Sequence, residues 1–256
     1  MDQFDTLVVP VAIAAVALAY ASVGHAGATG YVAVMTLCGV PVDVVRPTAL
    51  ALNVLVATIA TVQFVRAGHG RPRLLLPLAL ASAPCAILGG AVALPTAALE
   101  AVLGVVLLAA AVRILAEAVP AERPASEPST DRPATPRSVL AVLGAGIGLA
   151  SGLTGIGGGV FLTPALLALR AAPVRQIAAV TAPFILVNSL AGLAGGLLTG
   201  RPLPEATGPV LAAAAVGGAV GASLGAYRLP VWTLRLLMAA VLAFASLKLL
   251  AGLAAR

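Results

Sequence analysis

Between Asp5 and Asp43 the chain carries only one side chain, apart from cysteine and tyrosine, that can ionise: His25. Similar low-charge stretches recur at 47–65, 74–99, 101–112, 138–169, 176–200, 206–227 and 236–247. A helix needs about 20 apolar residues to cross a bilayer, and several of these runs supply them. Only helices and closed barrels satisfy their own backbone inside lipid. The runs lack strand alternation and are rich in Ala and Leu, so helices are expected. Charged residues make up 9% of the 256, against about 25% in a soluble domain, which is too few to cover a globule in water. A soluble enzyme, a nucleic-acid-binding protein and a disordered chain are excluded on that ground. The expectation is an all-α polytopic integral membrane protein whose surroundings are a lipid bilayer.

Residues 7–23 mimic a secretory signal, with Ala17-Leu18-Ala19 as its cleavage site. The preceding residues hold Asp2 and Asp5 but no cation, which a signal requires, so this segment reads as a retained membrane helix. The net charge of +6 fits the Lys/Arg enrichment of cytoplasmic loops and calls for no polyanionic partner. Cys38 and Cys85 lie in apolar runs, so neither a disulfide framework nor a Cys-rich metal site is expected. No metal or cofactor is expected.

Two runs, 6–42 and 138–169, are too long for one span and are interrupted by glycines. Gly24, Gly27 and Gly30 break the first; Gly152, Gly155, Gly157, Gly158 and Gly159 break the second. Each reads as two short helices joined by a glycine-rich break, crossing thinly or folding back as a re-entrant hairpin. Residues 119–137 differ in kind, with five prolines and mixed charge, the composition of a solvated linker. The chain thus divides into a membrane half at 1–118, the linker at 119–137, and a second membrane half at 138–256.

The two halves resemble each other. Gly24–Gly30 superposes on Gly152–Gly158, Pro41-Val42 on Pro173-Val174, and Thr48 on Thr181. Gly70-Arg71-Pro72 matches Gly200-Arg201-Pro202, and Gly89-Gly90-Ala91-Val92 matches Gly217-Gly218-Ala219-Val220. Leu94-Pro95 matches Leu229-Pro230, and Arg113 falls on Lys248. The ordered series predicts duplication, with 8–10 membrane helical segments in all. With the N-terminus outside and each broken segment returning to its own side, 11 cations face the cytoplasm and Arg46, Arg201, Lys248 and Arg256 face out. That split obeys the positive-inside rule and makes the repeats inverted. An eight-span arrangement with the N-terminus inside gives 10 to 5 and stays open.

Inverted repeats with discontinuous helices point to a transporter whose site lies at mid-membrane. A helix N-terminus offers unpaired N–H groups and partial positive charge to an anion, and glycine lets the backbone come close. Helices starting near Ala28 and Ile156 would aim such ends inward, with Thr29 and Thr154 adding hydroxyls. Gly24, Gly27, Gly30, Gly152, Gly155, Gly157 and Gly158 are therefore candidate binding positions. The pairs Gly89-Gly90 and Gly217-Gly218 read instead as packing positions. Other polar residues within the runs are Thr48, Asn53, Thr181, Asn188 and Ser189. Asn53 and Asn188 could bond a neighbouring helix or a substrate oxygen. His25 titrates near neutrality and is a candidate for proton coupling or a structural histidine.

These segments resemble the sulfite exporter TauE/SafE family, also called TSUP transporters. The carriers are G-L-T-G-I-G-G-G-V-F-L-T-P at 152–164 and V-R-Q-I-A-A-V-T-A at 174–182. In the first half they are G-H-A-G-A-T-G-Y at 24–31, R-P-T-A-L-A-L-N-V-L-V-A at 46–57 and F-V-R-A-G-H at 64–69. The first-half motif is a variant, with His25 and Thr29 where many relatives are plainer. The resemblance implies a multi-pass secondary transporter of the bacterial inner membrane, exporting sulfite, an organosulfonate or a related small anion. Coupling to H+ and assembly as a homo-oligomer stay open. A passive anion channel would use the same parts. An intramembrane enzyme built on Ser151 and His25 lacks a nucleophile motif, and a cation carrier would want intramembrane carboxylates.

Overall fold

The computed structural model of the chain describes residues 3–38, 40, 42–92, 108, 111, 112, 115, 135–200, 204 and 206–254. The expected linker lies outside these up to residue 134, as do most of the 101–112 run and the matches at 41, 94–95, 113 and 201–202. All regular elements among the described residues are helical. In the first half they are α1 (Gln3–Ser22), α2 (Ala28–Leu37), α3 (Val42–Arg66) and α4 (Pro72–Ala91). The second half has α5 (Arg137–Thr154), α6 (Gly159–Ala168), α7 (Val174–Leu198) and α8 (Gly208–Ser223). A π-helical turn at Leu224–Arg228 extends α8, and α9 covers Val231–Ala254. Five segments are long and apolar enough to cross a membrane: Val44–Arg66, Pro72–Ala91, Arg137–Thr154, Val174–Leu198 and Gly208–Arg228. The chain is a helical, multi-pass membrane protein.

The broken segments differ from the expected pairs of short helices. Each is one long and one short helix: 20 and 10 residues for α1 and α2, 18 and 10 for α5 and α6. Ten residues rise about 15 Å, half the hydrocarbon core. The reason is where the glycines fall. In the first run they begin after Ser22, which leaves a span's length of helix ahead of them. The register differs as well: Ala28 corresponds by helix start to Gly159, an offset of 131, and Val42 to Val174, an offset of 132. That pairs Gly24 with Gly155 and Gly27 with Gly158, all four at positive φ. Abundant glycine had made a match three residues away look as good.

Packing joins helices across the linker. Gly217, Gly221 and Gly225 lie directly on the backbones of Ala14, Leu18 and Ser22, so α1 runs alongside α8 in the same direction. Gly144, Gly148 and Gly152 lie on Leu78, Ser82 and Ala86, so α5 runs alongside α4 likewise. No Cβ fits at these six positions. Inside lipid, where helices associate by close packing, such small residues set the approach. The sequence's packing glycines behave the same way: Gly89 lies on Leu149, Gly90 on Gly192 and Gly218 on Val56.

Two hydrophobic cores result. One is built mainly from α1, α2, α3 and α7, with α8, around Ile13, Tyr31, Leu52 and Phe64. The other is built mainly from α4, α5, α6 and α7 around Leu78, Leu162, Leu166 and Phe184. Helices α3 and α7 pass between them in opposite directions: Leu50 lies against Gly192, and Asn53 Nδ2 donates to Ser189 Oγ at 3.4 Å. Polar ties collect the helix ends. His69 Nε2 lies 3.1 Å from Ala226 O, Arg71 Nε donates to Gln176 Oε1 at 2.8 Å, and an Arg175 N–H donates to Leu229 O at 2.7 Å. Arg66, Arg71, Arg73, Arg137, Arg170, Arg175 and Arg228 all sit at that end of the bundle.

Candidate anion site

The chain enters α6 through Gly157 and Gly158, at φ 79° and 77°. L-residues with a Cβ adopt this left-handed region at a cost, so glycine is what allows α5 to end and α6 to start within four residues. Gly157, Gly158, Gly159 and Val160 are all buried, and no side chain caps the helix. The first N–H groups of a helix have no partner within it. Burying such an end without a cap leaves donors and partial positive charge pointing into the protein interior.

Polar side chains gather around this end. A Cβ on Gly157 would lie 2.6 Å from Asn53 Nδ2 and 3.0 Å from Ser189 Oγ, and one on Gly158 would lie 3.2 Å from Ser151 Cβ. Thr181 and Ile185 flank Gly159. His25, from the first break, lies beside the Gly159 backbone, with Nδ1 3.2 Å from Val23 O. Asn53, Ser151 and His25 are each 1% exposed. Asn53 Oδ1, Ser151 Oγ and His25 Nε2 have no hydrogen-bond partner. Leaving a buried polar atom unsatisfied costs about 1–3 kcal/mol, so three around one uncapped helix end mark a place shaped for something polar.

The other sequence candidates divide. Thr29 Oγ1 pairs with Tyr20 OH at 2.7 Å, and Thr163 Oγ1 with Thr181 Oγ1 at 3.1 Å. Thr154 Oγ1 donates back to Ala150 O at 2.8 Å within its own helix. Asn188 is held by Ser82, whose Oγ donates to Oδ1 at 2.5 Å, while its own Nδ2 donates to Phe184 O at 2.9 Å. Thr48 is buried on α3. Gly24 packs on Ala178 of α7, Gly27 and Gly30 on Val16 of α1, Gly152 on α4, and Gly155 beside Arg46. The structure thus brings together Asn53, Gly157, Gly158 and His25. Asn188 thus bonds a neighbouring helix, one of the two roles open to it from sequence, and Ser189 is the neighbour that faces α3. One residue along a helix turns the side chain by about 100°, and no sequence signal said which of the two neighbours faced α3.

A profile of the sulfite exporter TauE/SafE family matches residues 9–249. The chain is also similar to the "Probable membrane transporter protein y4hK" of Sinorhizobium fredii (strain NBRC 101917 / NGR234). The two are 40% identical over 248 residues, 96% of this chain and 99% of the relative. No solved structure matches.

Proposed function

This chain belongs to the sulfite exporter TauE/SafE family and is a multi-pass membrane transporter, not an enzyme; we propose that its cargo is a small anion bound at the buried start of α6. The uncapped helix end with its three unpartnered polar atoms carries this reading. Backbone N–H groups and the Asn53 and Ser189 side chains would hold the oxygens of a sulfite, a sulfonate or a related organic anion, as helix N-termini do for phosphate and carboxylate. Gly157 and Gly158 let the backbone approach these side chains closely. His25, reaching in from the other break, is the group through which proton movement would be coupled. The carrier works as a secondary exporter in the bacterial inner membrane.

The two halves are inverted repeats. The antiparallel passage of α3 and α7, equal in length at 25 residues, supports this, as does the exchange of partners between α1–α8 and α4–α5. The arginine-rich end faces the cytoplasm, following the positive-inside rule, and the start of α1 faces out. Alternating access then moves the α1–α3–α8 bundle against the α4–α5–α7 bundle around the site between them. The test is uptake of labelled sulfite, sulfoacetate and sulfate into proteoliposomes, with and without an imposed pH gradient. Saturable, gradient-dependent flux of one anion, abolished in Gly158→Leu with the protein still inserted, is expected. No flux of any of the three, or full flux in Gly158→Leu, overturns the assignment.

A further inference from the structure

At the end of the bundle opposite the arginine cluster lies a narrow, open cleft between α3, α5 and α7. Its lining includes Gly152, Gly155, Gly192, Gly196 and Leu197, together with one cation, Arg46. Arg46 is half-buried, and one of its guanidinium N–H groups donates to Leu153 O in the last turn of α5. A Cβ on Gly155 would lie 3.4 Å from Arg46 Nε, so the side chain lies along the start of the break that leads through Gly157 into α6. The residue 132 positions later is Ala178, and it packs against Gly24 in the corresponding place at the other end. Where one end of the pseudo-symmetric bundle has a methyl group, this end has a guanidinium.

We propose that this cleft is an outer anion vestibule, in which Arg46 binds the oxygens of a small oxyanion on its way between the α6 site and the exterior. A guanidinium presents five N–H donors in a fixed fork that matches oxyanions, and so can hold a backbone carbonyl and an anion together. Glycines on the opposite wall keep side chains out of the cleft, so its lining at Arg46 is narrow but unobstructed by a Cβ. The proposal rests on the transporter reading for the anion's destination. The binding function of Arg46 is testable without it.

The test uses Leu197→Cys, an exposed lining position, in a background where Cys38 and Cys85 are replaced by serine. The protein is held in nanodiscs so that both faces are open. Rates of thiol modification are compared for an anionic probe, sulfonatoethyl methanethiosulfonate, and a cationic one, trimethylammonioethyl methanethiosulfonate. With Arg46 present the anionic probe is expected to gain on the order of tenfold relative to Arg46→Gln, the scale of one unit charge several ångströms away. Arg46→Lys retains most of the gain, and millimolar sulfate, which does not react with the probes, slows modification only where residue 46 is cationic. A rate ratio indifferent to residue 46, accompanied by a lower melting temperature in Arg46→Gln, makes Arg46 a cap of α5 and overturns the proposal. Absence of flux with the ratio intact would instead refute the transport reading and leave the vestibule's charge selectivity standing.

Discussion

Gly157→Ala, compared with Gly68→Ala, separates backbone strain from occupation of the anion site. Both glycines have φ 79°. Nothing lies within 4 Å of the place a Cβ would take on Gly68, whereas on Gly157 it would meet Asn53 Nδ2 at 2.6 Å, Ser189 Oγ at 3.0 Å and Ile185 Cγ2 at 3.2 Å. Alanine in the left-handed region costs about 1–2 kcal/mol, and Gly68→Ala carries that term alone. Gly157→Ala adds displacement of the Asn53 carboxamide and loss of its bond to Ser189, about 1 kcal/mol net. The expected destabilisation is therefore about 2–3 kcal/mol against about 1–2, a melting difference of a few degrees. Flux should separate them further. The added methyl pushes the Asn53 and Ser189 side chains away from the helix end assigned to the cargo, so Gly157→Ala should lose at least tenfold in sulfite kcat/KM, equivalent to about 1.4 kcal/mol or more. Gly68→Ala should stay within about twofold of the parent. The assays are proteoliposome uptake at graded sulfite and thermal denaturation in detergent. Equal flux in the two variants would refute the placement of the anion at the start of α6, whatever their stabilities.

The neighbouring residues Asn188 and Ser189 should respond in opposite ways. Asn188→Ala removes the partner of the buried Ser82 hydroxyl and should lower stability by about 1–3 kcal/mol with KM unchanged, while Ser189→Ala, which gives up the longer bond from Asn53, should raise KM several-fold at a stability cost of about 1 kcal/mol. His25→Gln should flatten the pH dependence of flux, and a pH profile that keeps its shape would return His25 to a structural role. Gly148→Leu, which drives a side chain into the Ser82 backbone, should abolish recovery of folded protein from the membrane. Normal yield there would mean that the α4–α5 contact is looser than the geometry describes.

The membrane class, the helical content and the positions of the two breaks are legible because they depend on properties that add along the chain: missing charge, glycine clusters and run length. The long–short division of each broken segment was legible too, had weight been given to where the glycines begin rather than to the length of the run. Side-chain direction was not. Thr154 and Thr29 look like donors to the site when read as polar residues at a break, but a hydroxyl near a helix can bond a backbone carbonyl four residues back, as Thr154 does to Ala150. Thr29 instead meets the hydroxyl of Tyr20. Arg46 enters the sequence reading as an outward charge and as the first residue of a family segment, with no role of its own. Its role depends on Leu153, 107 residues away, a proximity that no local pattern encodes.

The two sequence halves and the two packed bundles divide this chain differently. Displacing residues 3–92 as a unit against residues 137–254 would have to part α1 from α8 and α4 from α5. At those two seams glycine lets backbone rest on backbone at Ala14, Leu18, Ser22, Leu78, Ser82 and Ala86. Contacts that close lose about a quarter to a half of their attraction after a shift of about 0.5–1 Å, and inside lipid nothing but packing and a few polar bonds replaces them. Separation along the α3–α7 passage and the two breaks parts different contacts: the Asn53–Ser189 bond, the Arg46–Leu153 bond, the seating of Gly24 on the Ala178 backbone, and the buried Val174, Ala178, Ala182 and Ile185 that α7 contributes to the first core. These contacts surround the α6 site and its outer vestibule, the path proposed for the anion. The glycines that zip each bundle together and the glycines that open the site have opposite mechanical effects, set by whether a helix or a helix end lies opposite.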